Sequence, residues 1–136
     1  KTLEVLETLG VPVIAYGQDE FPAFWSRKSG IPAPLRLDEP VQIAAAQKMR
    51  TVLGLPGGQL VANPVPVESE ISRDALAPII AAAQARATAE GISGKAVTPF
   101  LLGAILEATD GASLATNIAL VRNNARLAAE IAQHFG

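Results

Sequence analysis

A chain of 136 residues, 49% hydrophobic and 18% charged, is long enough for one compact domain or a large part of one and too apolar to be disordered. A formal charge of −2 removes the basic footprint that a nucleic-acid polymer or an anionic membrane would need, while leaving room for a small phosphorylated ligand. The absence of cysteine excludes disulfides, thiolate metal sites and a cysteine nucleophile, and the lone His134 cannot assemble a histidine metal site.

Thr2 to Leu9 carries Leu3, Leu6 and Leu9 at helical spacing and stops at Gly10. These first residues read like the middle of a helix, with neither an initiator methionine nor the regions of a signal peptide, so the chain is expected to be cut from something longer. Val11 to Tyr16 is a short β-branched run, a buried strand after a helix. Residues 17 to 37 are broken by Gly17, Pro22, Gly30, Pro32 and Pro34, with room for a short edge strand at 34–37. A loop this long in a compact domain is either functional or wrongly assigned. Phe21, Phe24 and Trp25 gather there as a lid, a subunit contact or a plug on the core.

Asp38 is the expected N-cap of a helix running through Ile43 and Met49 to Leu53, and Gly54 closes it. Leu55 to Gly58 turns the chain into a second strand, Gln59 to Ala62, ended by Asn63-Pro64. Ser72 caps an Ala-rich helix reaching Glu90, with Pro78 inside it or at its true start. Thr98-Pro99 marks a cap and first position for the next helix, which ends near Asp110-Gly111. Ser113 starts the last helix, through Ala132. No apolar run reaches the roughly 18 residues of a membrane helix. The pattern predicts an α/β protein with two core strands and about five helices, and two strands do not make a stable sheet alone.

Ligands of open α/β sheets bind beyond the carboxyl ends of the strands, which here means Tyr16-Gly17 and Asn63-Pro64. Asn63 is either a ligand contact or a turn former before proline. The Gly-rich segment at 54–58 precedes a strand and is a turn, since phosphate loops run from a strand into a helix. Lys95 and Thr98 sit at a helix start where an anion could settle, or form an ordinary capped terminus. Asn117 and Asn124 lie seven residues apart, on one helical face with Leu120 and Val121. Two asparagines on an apolar face require either hydrogen bonds to loops or a ligand's polar edges. The acids, among them Asp19, Glu20, Asp38, Glu39 and Glu70, read as solvated faces, caps and loop residues without a glycosidase-type pair.

Taken together, the segments 2–14, Phe21-Pro22-Ala23-Phe24, 57–64, Gly94-Lys95 with 98–102, Ser113-Leu114, Asn117-Ile118 and 121–125 resemble blocks of the pseudouridine-5′-phosphate glycosidase family (indigoidine synthase A-like). The resemblance covers the whole chain in order. It implies a three-layer α/β/α fold to which this chain gives the C-terminal portion, and an enzyme that reversibly cleaves the C–C glycosidic bond of pseudouridine 5′-phosphate to uracil and ribose 5-phosphate. It further implies a lysine adduct with the opened ribose, a glutamate proton donor and a divalent metal, typically manganese. It places all of these residues before Lys1, which aligns just beyond the catalytic lysine segment, so the fragment alone is expected to be inactive. Asn117 is the best match to a family asparagine that meets the substrate, followed by Asn124, Asn63, Lys95 and Thr98. A cytoplasmic homotrimer is implied, with neither nucleic-acid polymer nor membrane as partner. The competing reading is a non-catalytic α/β binding or assembly module.

Overall fold

The computed structural model describes residues 2–135, so Lys1 lies outside it. Helix α1 (Thr2–Thr8) half-buries Leu3 and Leu6 and packs on strand β1 (Val13–Tyr16). Its end follows from Gly10, whose left-handed backbone (φ +69°) lets the Val11 N–H reach back to the Leu6 carbonyl at 2.9 Å. Strand β2 (Leu35–Leu37) follows the long loop, then helix α2 (Pro40–Val52) and strand β3 (Leu60–Ala62). Helices α3 (Arg73–Ala89), α4 (Val97–Ala108) and α5 (Ala112–Gln133) complete the chain.

The three strands form one parallel sheet in the order β2-β1-β3, with Ile14 opposite both Leu35 and Val61. The sequence predicts two strands with room for a short edge strand at 34–37, and β2 is that edge strand, joined to β1. Leu35–Leu37 is too short and too exposed to show a period, and backbone pairing with β1 rather than patterning makes it a strand. The middle strand buries Val13, Ile14 and Ala15 on both faces, as parallel sheets require. The outer strands are open: Leu35 is 50% exposed and Leu60 40%.

Helix α2 starts one residue later than the sequence suggests. Glu39 takes the cap position and Pro40 the first helical one, while the Gln42 side-chain oxygen accepts from the N–H groups of Asp38 and Glu39, each at 3.1 Å. Asp38 pairs instead with Arg36, Oδ1 to Nε at 2.8 Å. Ser72 caps α3 as expected, its hydroxyl accepting from Ala75 N–H at 3.3 Å. Pro78 lies within that single helix. Thr98 is not a cap. A 3-10 turn, Gly94–Ala96, runs straight into α4, and Thr98 and Pro99 fall in its first turn, where a missing N–H breaks no helical bond. At the far end of α4, Asp110 adopts φ +48° in the place a glycine would fill, and Gly111 N–H reaches Leu106 at 3.0 Å.

Leu76 and Ala83 of α3 pack against Ala104 and Ile105 of α4, with Trp25 and Leu101 closing the cluster. Helix α2 packs on α5, while Leu114, Ile118 and Val121 of α5 and Met49, Val52 and Leu53 at the end of α2 stay exposed. Among the described residues no helix is long and apolar enough to cross a membrane.

Ile105 is only 2% exposed at the α3–α4 contact. Ile105→Ala is therefore expected to lower the unfolding free energy by about 2–5 kcal/mol, read from a denaturant midpoint. A loss below about 1 kcal/mol would mean that the contact is not packed as described. Tyr16, the single tyrosine, ends β1. Burial first, then the carboxylates of Glu39, Glu130 and Asp38, hold its phenol above the ordinary value of 10.0. Because the folded state favours the neutral phenol, its contribution to stability is complete below the unfolded-state value and is lost as pH rises through the folded-state one. Phenolate absorbance in the folded chain should titrate at higher pH than in denaturant. Coinciding curves would contradict the environment described.

Candidate functional site

Parallel strands send their carboxyl ends to one side, where open α/β sheets bind ligands. A cleft of about 510 Å³ occupies that place, lined by Gln18, Asp19 and Glu20 just after β1, by Arg27 and Lys28 farther along the same loop, and by Val67 and Glu70 after β3.

The loop is built to hold its shape. Phe21 N–H donates to the Ile31 carbonyl and Ala33 N–H to that of Asp19, both at 2.8 Å, so residues 19–33 close on themselves. Inside this closure the Glu20 carboxylate accepts the N–H groups of Ser29 (3.2 Å) and Gly30 (2.9 Å). The Ser29 hydroxyl donates to the Phe21 carbonyl. Gly30 has φ +75°, so its backbone favours glycine, and a Cβ there would displace the end of the flexible Arg73 side chain, 2.6 Å away. The Gln18 amide donates to the carbonyls of Glu20 and Arg27, each at 2.7 Å.

The opposite wall, residues 64–70, is gripped at three carbonyls. Asn123 Nδ2 donates to Pro64 (3.1 Å), Arg27 Nη1 to Val65 (2.8 Å) and Thr116 Oγ1 to Ser69 (2.8 Å). Glu70 returns the contact, accepting the Arg27 backbone N–H at 2.8 Å. Arg27 therefore joins the loop after β1 to the loop after β3. Sequence reasoning missed Arg27, Lys28, Gln18 and Asn123 and read Asp19, Glu20 and Glu70 among solvated faces, caps and loop residues, which holds for the exposed Asp19 but leaves out the loop bonds of Glu20 and Glu70. Arg27 and Glu70 stand 43 residues apart, so no local spacing announces them; the length of the loop was the available signal.

The structure brings Asn63 and Asn124 together, Nδ2 to Oδ1 at 3.2 Å, at the carboxyl end of β3. That bond pins the strand end to α5. Asn117, about two turns earlier on α5, lines a separate cavity of about 210 Å³ with Phe24, Trp25, Leu102, Leu106 and Leu114. Its half-buried amide makes no hydrogen bond among the described residues. Lys95 and Thr98 are exposed at the start of α4 and line neither the cleft nor this cavity. Of the readings open for the aromatic loop, plug on the core is the one Trp25 takes, packing on the α3–α4 cluster while its carbonyl accepts Ile71 N–H at 2.9 Å. Phe24, edge-on to it at 4.8 Å, stays 45% exposed, and on the α3 side the pair borders an apolar cleft of about 430 Å³. Among the described residues no three His, Asp or Glu side chains converge to hold a metal ion.

Comparison with known proteins agrees with this architecture. The sequence model of the family described as indigoidine synthase A like protein matches residues 1–134. Over 98% of the chain it is 67% identical to a protein of Jannaschia sp. (strain CCS1) and 68% identical to one of Roseobacter denitrificans, both named pseudouridine-5′-phosphate glycosidase. The chain spans 44% and 43% of those two relatives, less than half of their length. A crystal structure of a prealnumycin C-glycosynthase in complex with ribulose 5-phosphate superposes with a TM-score of 0.89 at 32% identity, over 98% of this chain and 44% of that one. An indigoidine synthase A-like protein of Thermotoga maritima gives 0.80 at 36% identity, over 96% and 43%. The chain belongs to the indigoidine synthase A-like family.

Proposed function

We propose that this chain is the C-terminal portion of a pseudouridine-5′-phosphate glycosidase, an enzyme that reversibly cleaves the C–C glycosidic bond of pseudouridine 5′-phosphate to uracil and ribose 5-phosphate. The observation that carries the reading is 67% identity, held over 98% of the chain, to a relative of that name. A cleft at the carboxyl ends of β1 and β3 supports it, as does a structural relative complexed with a pentose phosphate.

In this reading the lysine adduct and the proton-donating glutamate belong to residues outside the chain. So do the ligands of a divalent metal, manganese by family resemblance. What this chain contributes is binding and shape. Asn117 presents a donor and an acceptor inside a wall of apolar groups, suited to the polar edge of a uracil ring. The bonded pair Asn63 and Asn124 is a weaker substrate contact, since each already holds the other. Lys95 and Thr98 rank last, as an exposed helix start open to an anion. The exposed apolar residues of α2 and α5 support burial against the rest of the protein or against other copies in a homotrimer. The cytoplasm is the proposed compartment.

The full-length protein that carries this chain is expected to release uracil from pseudouridine 5′-phosphate in the presence of manganese. Asn117→Ala should lower kcat/KM by about tenfold or more through loss of a buried hydrogen bond. A folded full-length protein that releases no uracil would sink the enzyme reading and leave the non-catalytic module. Full activity in the variant would remove Asn117 from the site.

A further inference from the structure

The cavity that holds Asn117 has Trp25 on another of its walls, and the two residues come from elements far apart in the chain. Asn117 belongs to α5, and Trp25 to the long loop after β1. Both elements are fastened to one short stretch of backbone, residues 69–71. The Trp25 carbonyl accepts the Ile71 N–H at 2.9 Å, and the Thr116 hydroxyl donates to the Ser69 carbonyl at 2.8 Å. Between these two bonds the Glu70 carboxylate accepts the Arg27 N–H at 2.8 Å.

Thr116 immediately precedes Asn117. It is 4% exposed, and the Ser69 carbonyl is the partner of its hydroxyl among the described residues. Helix α5 packs there on the 3-10 turn Val67–Ser69. Consecutive helical residues differ by about 1.5 Å of rise and about 100° of rotation, so a bond at 116 leaves the backbone of 117 little freedom to slide or turn. Asn117 has no hydrogen bond of its own among the described residues and cannot fix its own place. The bonds of Asn123 and Asn124 hold the same helix about two turns farther on, at Pro64 and Asn63, outside the stretch that Trp25 shares.

We infer that Thr116 is a positioning residue for Asn117. Its bond to Ser69 sets the separation between the Asn117 amide and the Trp25 wall, and with it the fit of a planar, amide-bearing ring between them. The inference rests on the reading of Asn117 as a contact of the uracil ring. Hydrogen bonds weaken steeply as distance and angle depart from their optimum, so a small shift of α5 is enough to loosen that contact.

The test uses the full-length protein and two variants. Thr116→Val keeps the branched shape and removes the donor, while Thr116→Ser keeps the donor. Run in the synthetic direction, the reaction gives separate KM values for uracil and for ribose 5-phosphate. Thr116→Val is expected to raise the KM for uracil about fivefold to tenfold, with kcat and the KM for ribose 5-phosphate little changed, and Thr116→Ser to restore most of the loss. Combined with Asn117→Ala, Thr116→Val should raise that KM little further, because the group through which Thr116 acts is already gone. A residue that merely holds the fold together behaves differently. Its loss falls on both KM values or on the active fraction, and multiplies with that of Asn117→Ala; this pattern, or an unchanged KM for uracil, overturns the inference. The wild type is the control for the glycosidase reading. If it releases no uracil from pseudouridine 5′-phosphate, that reading fails and equilibrium dialysis with uracil decides the inference. Binding weakened by Thr116→Val and restored by Thr116→Ser upholds it, whereas binding that is absent, or equal in wild type and Thr116→Val, overturns it.

Discussion

Because β2, β1 and β3 run in the same direction, their carboxyl ends open on one side of the sheet, and every polar feature of the cleft depends on that alignment. The register sets Ala15 level with Arg36 and Ala62, so the chain leaves β1 at Gly17 close to where it leaves β3 at Asn63. Parallel sheets are usually covered on both faces, which the central strand achieves with Val13, Ile14 and Ala15 while the outer strands stay open. The sheet is small, yet it decides which two loops can meet.

Where those loops meet, side chains replace regular structure. A segment without ladder partners must still satisfy its N–H and carbonyl groups. The loop after β1 does so through Glu20 and Gln18, and the segment after β3 through Asn123, Arg27 and Thr116. Charged residues that would otherwise repel or attract ligands are used as structural donors and acceptors. Individually such bonds contribute about 1 kcal/mol, rather more where one partner is charged, and here they act on the same short stretch of backbone. The electrostatic character of the cleft therefore depends on where these charged groups are fixed as well as on their number.

Much of this was legible in the sequence, and the rest was hidden for identifiable reasons. The helix ends at Gly10 and Ser72 depend on contacts within a few residues, and both appear where the pattern puts them. Thr98-Pro99 carries a strong local start signal, but the 3-10 turn before it advances the helix by two residues, because a first-turn proline is tolerated at more than one position. Strand β2 is made by its neighbour, and three residues with little burial leave no period to read. In α5 the paired asparagines were conspicuous as a problem. Only the coordinates divide them, Asn124 joined to Asn63 and Asn117 turned into a cavity, while Asn123 does the work of holding Pro64. The position of the cleft beyond the strand ends was expected, but its lining was not, because the contact of Arg27 with Glu70 crosses 43 residues.

Trp25 has one further consequence. It is the only tryptophan of the chain, and it borders both the apolar cleft beside α3 and the cavity that holds Asn117. It also sits in the loop whose next residues but one are Arg27 and Lys28. Indole emission responds to the polarity and water around the ring, so this chain carries an intrinsic optical reporter at the junction of three surfaces. Filling either apolar space, or shifting the loop that closes around Glu20, changes the surroundings of the same chromophore. Its fluorescence integrates events that the fold otherwise keeps in separate compartments.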